Sequence, residues 1–204
     1  MKKIQFSEKF AISDLSKNAV SDLTRKYLFD REHGKGHNIT KLFTVDVRNN
    51  NLYIHYRTYP TYNTGEEKRV LISGEAVRTE YYDTLFEIED VETNLGDKNT
   101  FLSLHPGEQL AVLKDFINDG MSRVFCNCPA FYYQGHWEDM AETDSVIFPF
   151  PGPRGDGVWR QRHASGLKIP EIRICKHIAA SIHYLVERDA PKILKALVKV
   201  YEKF

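Results

Sequence analysis

Two short segments, Cys126-Asn127-Cys128 and Cys175-Lys176-His177, hold every cysteine in the chain. Three thiols and an imidazole so arranged constrain the fold more than any other feature, because together they make a four-coordinate metal site. A closed tetrahedral set of Cys and His is the usual composition of structural zinc. The spacing suits it. Residues two apart on a strand face the same side, so Cys126 and Cys128 can both turn toward one ion. Cys175 and His177 lie where extended chain meets a helix pattern, which lets two more ligands converge and favours a thiolate at the helix N-terminus. Buried unligated cysteines beside a capping histidine would be chemically ordinary. The matched Cys-x-His, with no cysteine elsewhere, favours the metal. An iron–sulfur cluster could use the same donors; zinc needs the fewest assumptions. Three cysteines, two of them nearly adjacent, make a poor disulfide framework, so a reducing setting is expected.

Between the two segments lies a long stretch, residues 129–170, containing "FPFPGPRGDG". Its proline and glycine content predicts an irregular loop, and a metal would staple its ends. Arg154, Arg160, Arg162, Lys168, Arg173 and Lys176 stand against Asp156 and Glu171, which makes the segment from Arg154 to Lys176 locally basic. With Trp159, and with Phe148 and Phe150 flanking, these residues are the candidate contacts to nucleic acid or to a protein partner. His136 and His163 read as solvated loop histidines. The whole chain is neutral, with 28 basic and 28 acidic residues, so global charge argues for neither nucleic acid nor membrane. No run of about 18 apolar residues occurs, and "MKKIQFSEKFAISDLSKNAV" lacks the apolar stretch of a signal peptide.

The rest of the chain predicts an α+β fold. Ile12, Leu15, Ala19, Leu23 and Tyr27 repeat at three- and four-residue intervals, an N-terminal amphipathic helix. Strands are expected at 41–47, 52–59 and 69–73, joined through "RNNN" and "TYNTGEEK" into a three-stranded antiparallel meander. "AVRTEYYDTLFEIEDVETNLG" fits helix or strand. A helix over 108–118 carries Leu110, Leu113, Phe116 and Ile117 on one face, with Gly120 placed to end it. "RVFCNC" reads as a short strand. Two closing helices follow, one with Ile178, Ile182 and Leu185 inward, the other opening at Pro191 with Ile193, Leu194, Leu197 and Tyr201 on its face. Residues 1–120 then form a helix-and-sheet lobe and residues 121–204 a metal-stapled strand–loop–helix lobe, the two sharing one core.

"VFCNCPAF" followed by "ICKHIAASI" resembles the SWIM zinc finger, whose pattern is Cys-x-Cys, a variable stretch, then Cys-x-His. The match covers about Arg123 to Glu187 and departs from the family in its longer insert. It is most similar to the members from tailed bacteriophages, which carry long Pro/Arg-containing inserts between "CxCPxF" and "CKH". The resemblance implies that Cys126, Cys128, Cys175 and His177 ligate a structural Zn²⁺. It also implies a non-enzymatic interaction protein, a virion component near the head–tail connection. Its partners would be other virion subunits, met in the virion or in the host cytoplasm before assembly. A nucleic-acid-binding role is the alternative.

A third class, a metal-dependent nuclease, would draw on the acidic group Glu87, Glu89, Asp90 and Glu92, since paired carboxylates can hold Mg²⁺. Such groups are more often solvated faces, and no phosphate-cradling loop or nucleophile elbow accompanies this one. Asp46 with His55, and "HGKGHN", are equally unspecific. The tyrosines of "YIHYRTYPTY" are expected to cover one side of a sheet against helices rather than to stack bases.

Overall fold

A computed structural model describes residues 10–12, 39–59, 69–72, 75–78, 81–128, 131, 147 and 175–203. Its centre is an antiparallel sheet of strands β1 (Phe10–Ala11), β2 (Ile39–Arg48), β3 (Asn51–Tyr59), β6 (Tyr82–Ile88) and β7 (Met121–Cys126), in the order β1-β7-β6-β3-β2. Strands β4 (Arg69–Ile72) and β5 (Glu75–Arg78) form a separate two-stranded ladder. The helices are α1 (Val91–Leu95), α2 (Lys98–Ser103), α3 (Pro106–Asp119), α4 (Lys176–Tyr184) and α5 (Ala190–Lys203). None is long and apolar enough to cross a membrane.

The β2–β3 hairpin forms as "RNNN" predicts. Asn49 and Asn50 both have positive φ (50° and 64°), which the tight turns that match strand twist require and asparagine tolerates. The same turn anchors α1, because Asn50 accepts the Val91 amide through its carbonyl and the Glu92 amide through its side chain, each at 2.8 Å. The third strand of the expected meander is different. Arg69–Ile72 pairs with β5, and β3 takes β6 as its neighbour, with Tyr56 opposite Thr84 and Ile54 opposite Phe86. In β6 the buried Thr84, Phe86 and Ile88 continue the inward row of Tyr56, Ile54 and Leu52. Packing across the sheet, not proximity in sequence, decides the partner.

Just ahead of the expected N-terminal helix, which the apolar spacing opens at Ile12, Phe10–Ala11 form a strand paired antiparallel with β7; Ile12 itself is helical and fully buried. The remainder lies outside the described residues. Helix α3 starts two residues earlier than its apolar period implies. Pro106 occupies its first turn, and His105 caps it reciprocally: the Gly107 amide donates to His105 Nδ1, and Glu108 accepts from the His105 amide. Gly120 ends α3 as expected, but with φ −67° rather than a left-handed conformation. Close approach is the reason for glycine here, since a Cβ would sit 2.5 Å from Ile88 Cγ2 and 2.6 Å from the Phe116 carbonyl.

The two expected C-terminal helices are one rod, joined through a π turn at Leu185–Asp189. The turn falls just before Pro191, which cannot donate to an unbroken α-ladder. Helix α4 crosses β2, β6 and β7, and α5 lies against β2 and α3. Their apolar stripes (Ile178, Ile182 and Leu185, then Ile193, Leu197 and Tyr201) join Leu52, Ile54, Phe86, Val124, Leu113 and Phe116 in one buried core.

Candidate metal centre

The chain direction of β7 and the placement of α4 bring the two cysteine segments together. Cys126 is the last residue of β7 and faces inward opposite Thr84. Cys128 follows past the strand end, where ordinary alternation would no longer be enforced. Asn127 enforces it. Its amide donates to the Asp83 carbonyl at 3.2 Å, its Oδ1 accepts the Asp83 amide at 2.8 Å, and its Nδ2 donates to Asp83 Oδ2 at 3.2 Å. The side chain thus extends the β6–β7 ladder by one residue and keeps both cysteines on the inner face. From the other side, Cys175 is the N-cap of α4 and His177 lies in its first turn. Cys175 makes no capping hydrogen bond through its side chain, which is committed to the cluster.

The ligand atoms of Cys126, Cys128, Cys175 and His177 all lie within 4.8 Å of one another, and all four residues are at most 3% exposed. A tetrahedral zinc with bonds of about 2.3 Å to sulfur and about 2.1 Å to nitrogen places its ligands roughly 3.6–3.8 Å apart. Small side-chain adjustments therefore suffice to close the set. No pair is joined as a disulfide. His177 turns Nδ1 toward Cys126 Sγ, 4.0 Å away, so Nδ1 is the nitrogen offered to an ion. Its Nε2 is buried without a hydrogen-bond partner among the described residues. Ring orientation is fixed by stacking on Tyr82, with centroids 4.4 Å apart and planes 28° apart. Around the sulfurs, the Thr84 hydroxyl donates to Cys126 Sγ at 3.8 Å and the Phe131 amide donates to Cys128 Sγ at 3.4 Å. These donors stabilise thiolate charge and orient the ligands.

Without a cation the cluster cannot carry three thiolates. Burial, reinforced by hydrogen bonding and charge among the cysteines, pushes the Cys126 thiol well above the ordinary range. Burial likewise raises Cys128. At Cys175 burial acts in the same direction, but hydrogen bonds from Cys126, Cys128 and His177 outweigh it and hold this thiol well below the ordinary range. Three thiolates are thus not tolerated together in this buried group, and a metal would bind by displacing thiol protons. The chemistry of the donors, their burial and their mutual reach all fit a metal ion.

Among the described residues this is the one group of three or more Cys, His, Asp or Glu ligands brought together. The acidic group singled out from sequence is dispersed into local contacts. Glu87 accepts from Asn51 Nδ2 at 2.7 Å and from the Tyr53 hydroxyl at 2.6 Å, while Arg123 pairs with Glu89 at 2.9 Å and Glu87 at 3.6 Å. Asp90 and Glu92 are exposed at the start of α1. Asp46 and His55 do not pair: Asp46 holds Arg48 at 2.6 Å, and His55 Nε2 is 2.6 Å from Asp83. The tyrosines of β3 divide between faces, Tyr56 buried inward and Tyr53 outward, because positions three apart on a strand alternate. Arg154, Trp159, Arg160, Arg162, Lys168 and Arg173 lie outside the described residues, as do His136 and His163; of Lys176 only the backbone is described.

Sequence reasoning missed Asn127, Asp83, Thr84 and Tyr82. Only Asn127 carried a signal, by standing between the cysteines. The chain matches no protein-family model, and no curated protein or solved structure is significantly similar to it.

Proposed function

We propose that the protein is a non-enzymatic interaction protein built around a structural zinc site of the SWIM type. The observation that carries this reading is the closure of the site: four buried protein donors converge from a strand end and a helix start, leaving no coordination position for water or substrate. A site of that kind supplies folding energy and holds two distant chain segments together; it performs no chemistry of its own. The contact surface is then what the clamp holds in place. Following the tailed-phage proteins its motif resembles, we assign it to the virion near the head–tail connection, with other virion subunits as partners.

Elemental analysis of the purified chain tests the metal. About one equivalent of zinc is expected in the wild type, falling to near zero in Cys128→Ser. Less than half an equivalent of zinc in the wild type refutes the site, and iron with inorganic sulfide refutes zinc. Mass spectrometry of purified particles tests the virion assignment separately; its absence from them removes that assignment.

A further inference from the structure

Helix α5 has one acidic residue, Glu202, and four lysines: Lys192, Lys195, Lys199 and Lys203. At 3.6 residues per turn the four fall within about 80° of arc, one stripe about 16 Å long. All four are exposed. Lys192 pairs with buried Asp189 at 2.7 Å, while Lys195, Lys199 and Lys203 form no ion pair among the described residues. In a chain of zero net charge this is a concentrated positive edge. A favourable helix dipole accounts only for the last turn, that is for Lys203. Lys195 and Lys199 lie outside its reach.

We infer that the α5 stripe is a contact for the phosphate backbone of a nucleic acid, bound without regard to sequence. Three observations select this partner. The apolar side of α5 (Ile193, Leu197 and Tyr201) is packed in the core, so no apolar face is left to enter a bilayer interface, as surface-lying helices require. The exposed residues are Pro191, Lys192, Lys195, Lys199, Glu202 and Lys203, with none of the Trp, Tyr or Arg anchors that dominate protein interfaces, where Lys is depleted. The same list has no aromatic ring or guanidinium to read a base. Flexible ammonium groups at intervals of about one turn match repeated phosphates and nothing more specific.

The test is fluorescence anisotropy of the full chain with a labelled random-sequence duplex DNA between 50 and 200 mM salt. Each lysine that neutralises a phosphate contributes about −0.9 to the slope of log affinity against log salt. The three lysines without an ion pair give about −2.7, an affinity loss of about 40-fold over that range. Lys195→Gln combined with Lys199→Gln is expected to make the slope shallower by about 2, whereas Lys114→Gln on α3 leaves it unchanged. Both changes are on exposed positions, and circular dichroism verifies folding. No binding at 50 mM salt overturns the inference, as does a slope that the double substitution leaves unaltered. Equal binding to anionic vesicles or to polyglutamate also overturns it, because the partner is then another polyanion. Metal content is measured separately, so failure here leaves the zinc assignment standing.

Discussion

The two faces of the β6–β7 pair handle polar groups in opposite ways. On the inner face, Thr84 and Cys126 sit in a sealed core, and their polar atoms are directed at the one place where a cation would belong. On the outer face, one residue away, Asp83 gathers His55 Nε2 at 2.6 Å, Arg57 Nε at 3.3 Å and the Asn127 amide group at 3.2 Å. Arg57 also lies over the rings of Phe43 (3.4 Å) and Tyr81 (4.2 Å). The outer network is internally balanced and partly solvated, so each member is worth little by itself. Inside, thiol protons stand where a divalent ion would, in a site sealed from water, so each donor counts heavily. Alternation along a strand is enough to place such different electrostatic regimes within one residue of each other.

That contrast can be broken at several points. The largest effect is expected on the inner face. Removing the metal by chelation, or by Cys128→Ser, should lower stability by about 4 kcal/mol relative to protein with free metal at a thousand times its dissociation constant. For a chain of this size that is a fall of about 8–16 °C in Tm, read by calorimetry. A fall under 2 °C would mean that the core closes without the ion.

The pH response should then reverse with loading. In the metal-free protein, the raised thiols of Cys126 and Cys128 favour the folded state below the unfolded thiol pKa of about 8.5, and this stability is lost as pH rises above it. Cys175, with its lowered pKa, contributes fully above that value and is lost as pH falls toward its folded pKa, so it adds no slope on the alkaline side. The metal-loaded protein has already surrendered these protons, so acid should destabilise it and alkali should not. Denaturant titrations of both forms from pH 5 to 10 measure the two slopes, and parallel curves would contradict the assigned shifts.

Asn127 stands where the faces meet. Asn127→Ala removes two hydrogen bonds, one of them to a carboxylate, and keeps the backbone contact to Asp83. It should cost about 1–3 kcal/mol and weaken metal binding about tenfold or more. A stability loss with unchanged metal affinity would show that the residue serves the ladder alone. The smallest effect belongs to the outer face: Arg57→Ala should cost under about 1 kcal/mol, with metal content unaltered.

The four residues that cluster were legible in the sequence because a metal site demands particular side chains at short local spacings. Helices α3, α4 and α5 were legible for the same kind of reason, since a 3.6-residue apolar period is a local property. What escaped depended on distance. The choice of β6 over Arg69–Ile72 as the partner of β3 follows from matched burial across the sheet, and in "YDTLFEI" the outward Leu85 between Thr84 and Phe86 blurs the alternation. The π turn depends on how Pro191 interrupts a rod whose two halves each looked self-sufficient. Gly120 was placed correctly for a different physical cause, because nothing local reveals that Ile88 will lie against it.

The ligands also impose an order in time. Cys126 and Cys128 leave the ribosome before Cys175 and His177, separated by residues 129–174. At about 5–20 residues per second, β7 waits seconds with two thiols and no partners. Two thiolates are only half of a tetrahedral set, so an ion bound there could lock the fold only after α4 has emerged. Synthesis interrupted within that interval leaves a chain with its inner sheet face uncovered and its cysteines available to oxidants. A metal held by these four residues would mark the moment at which nascent chain becomes durable protein.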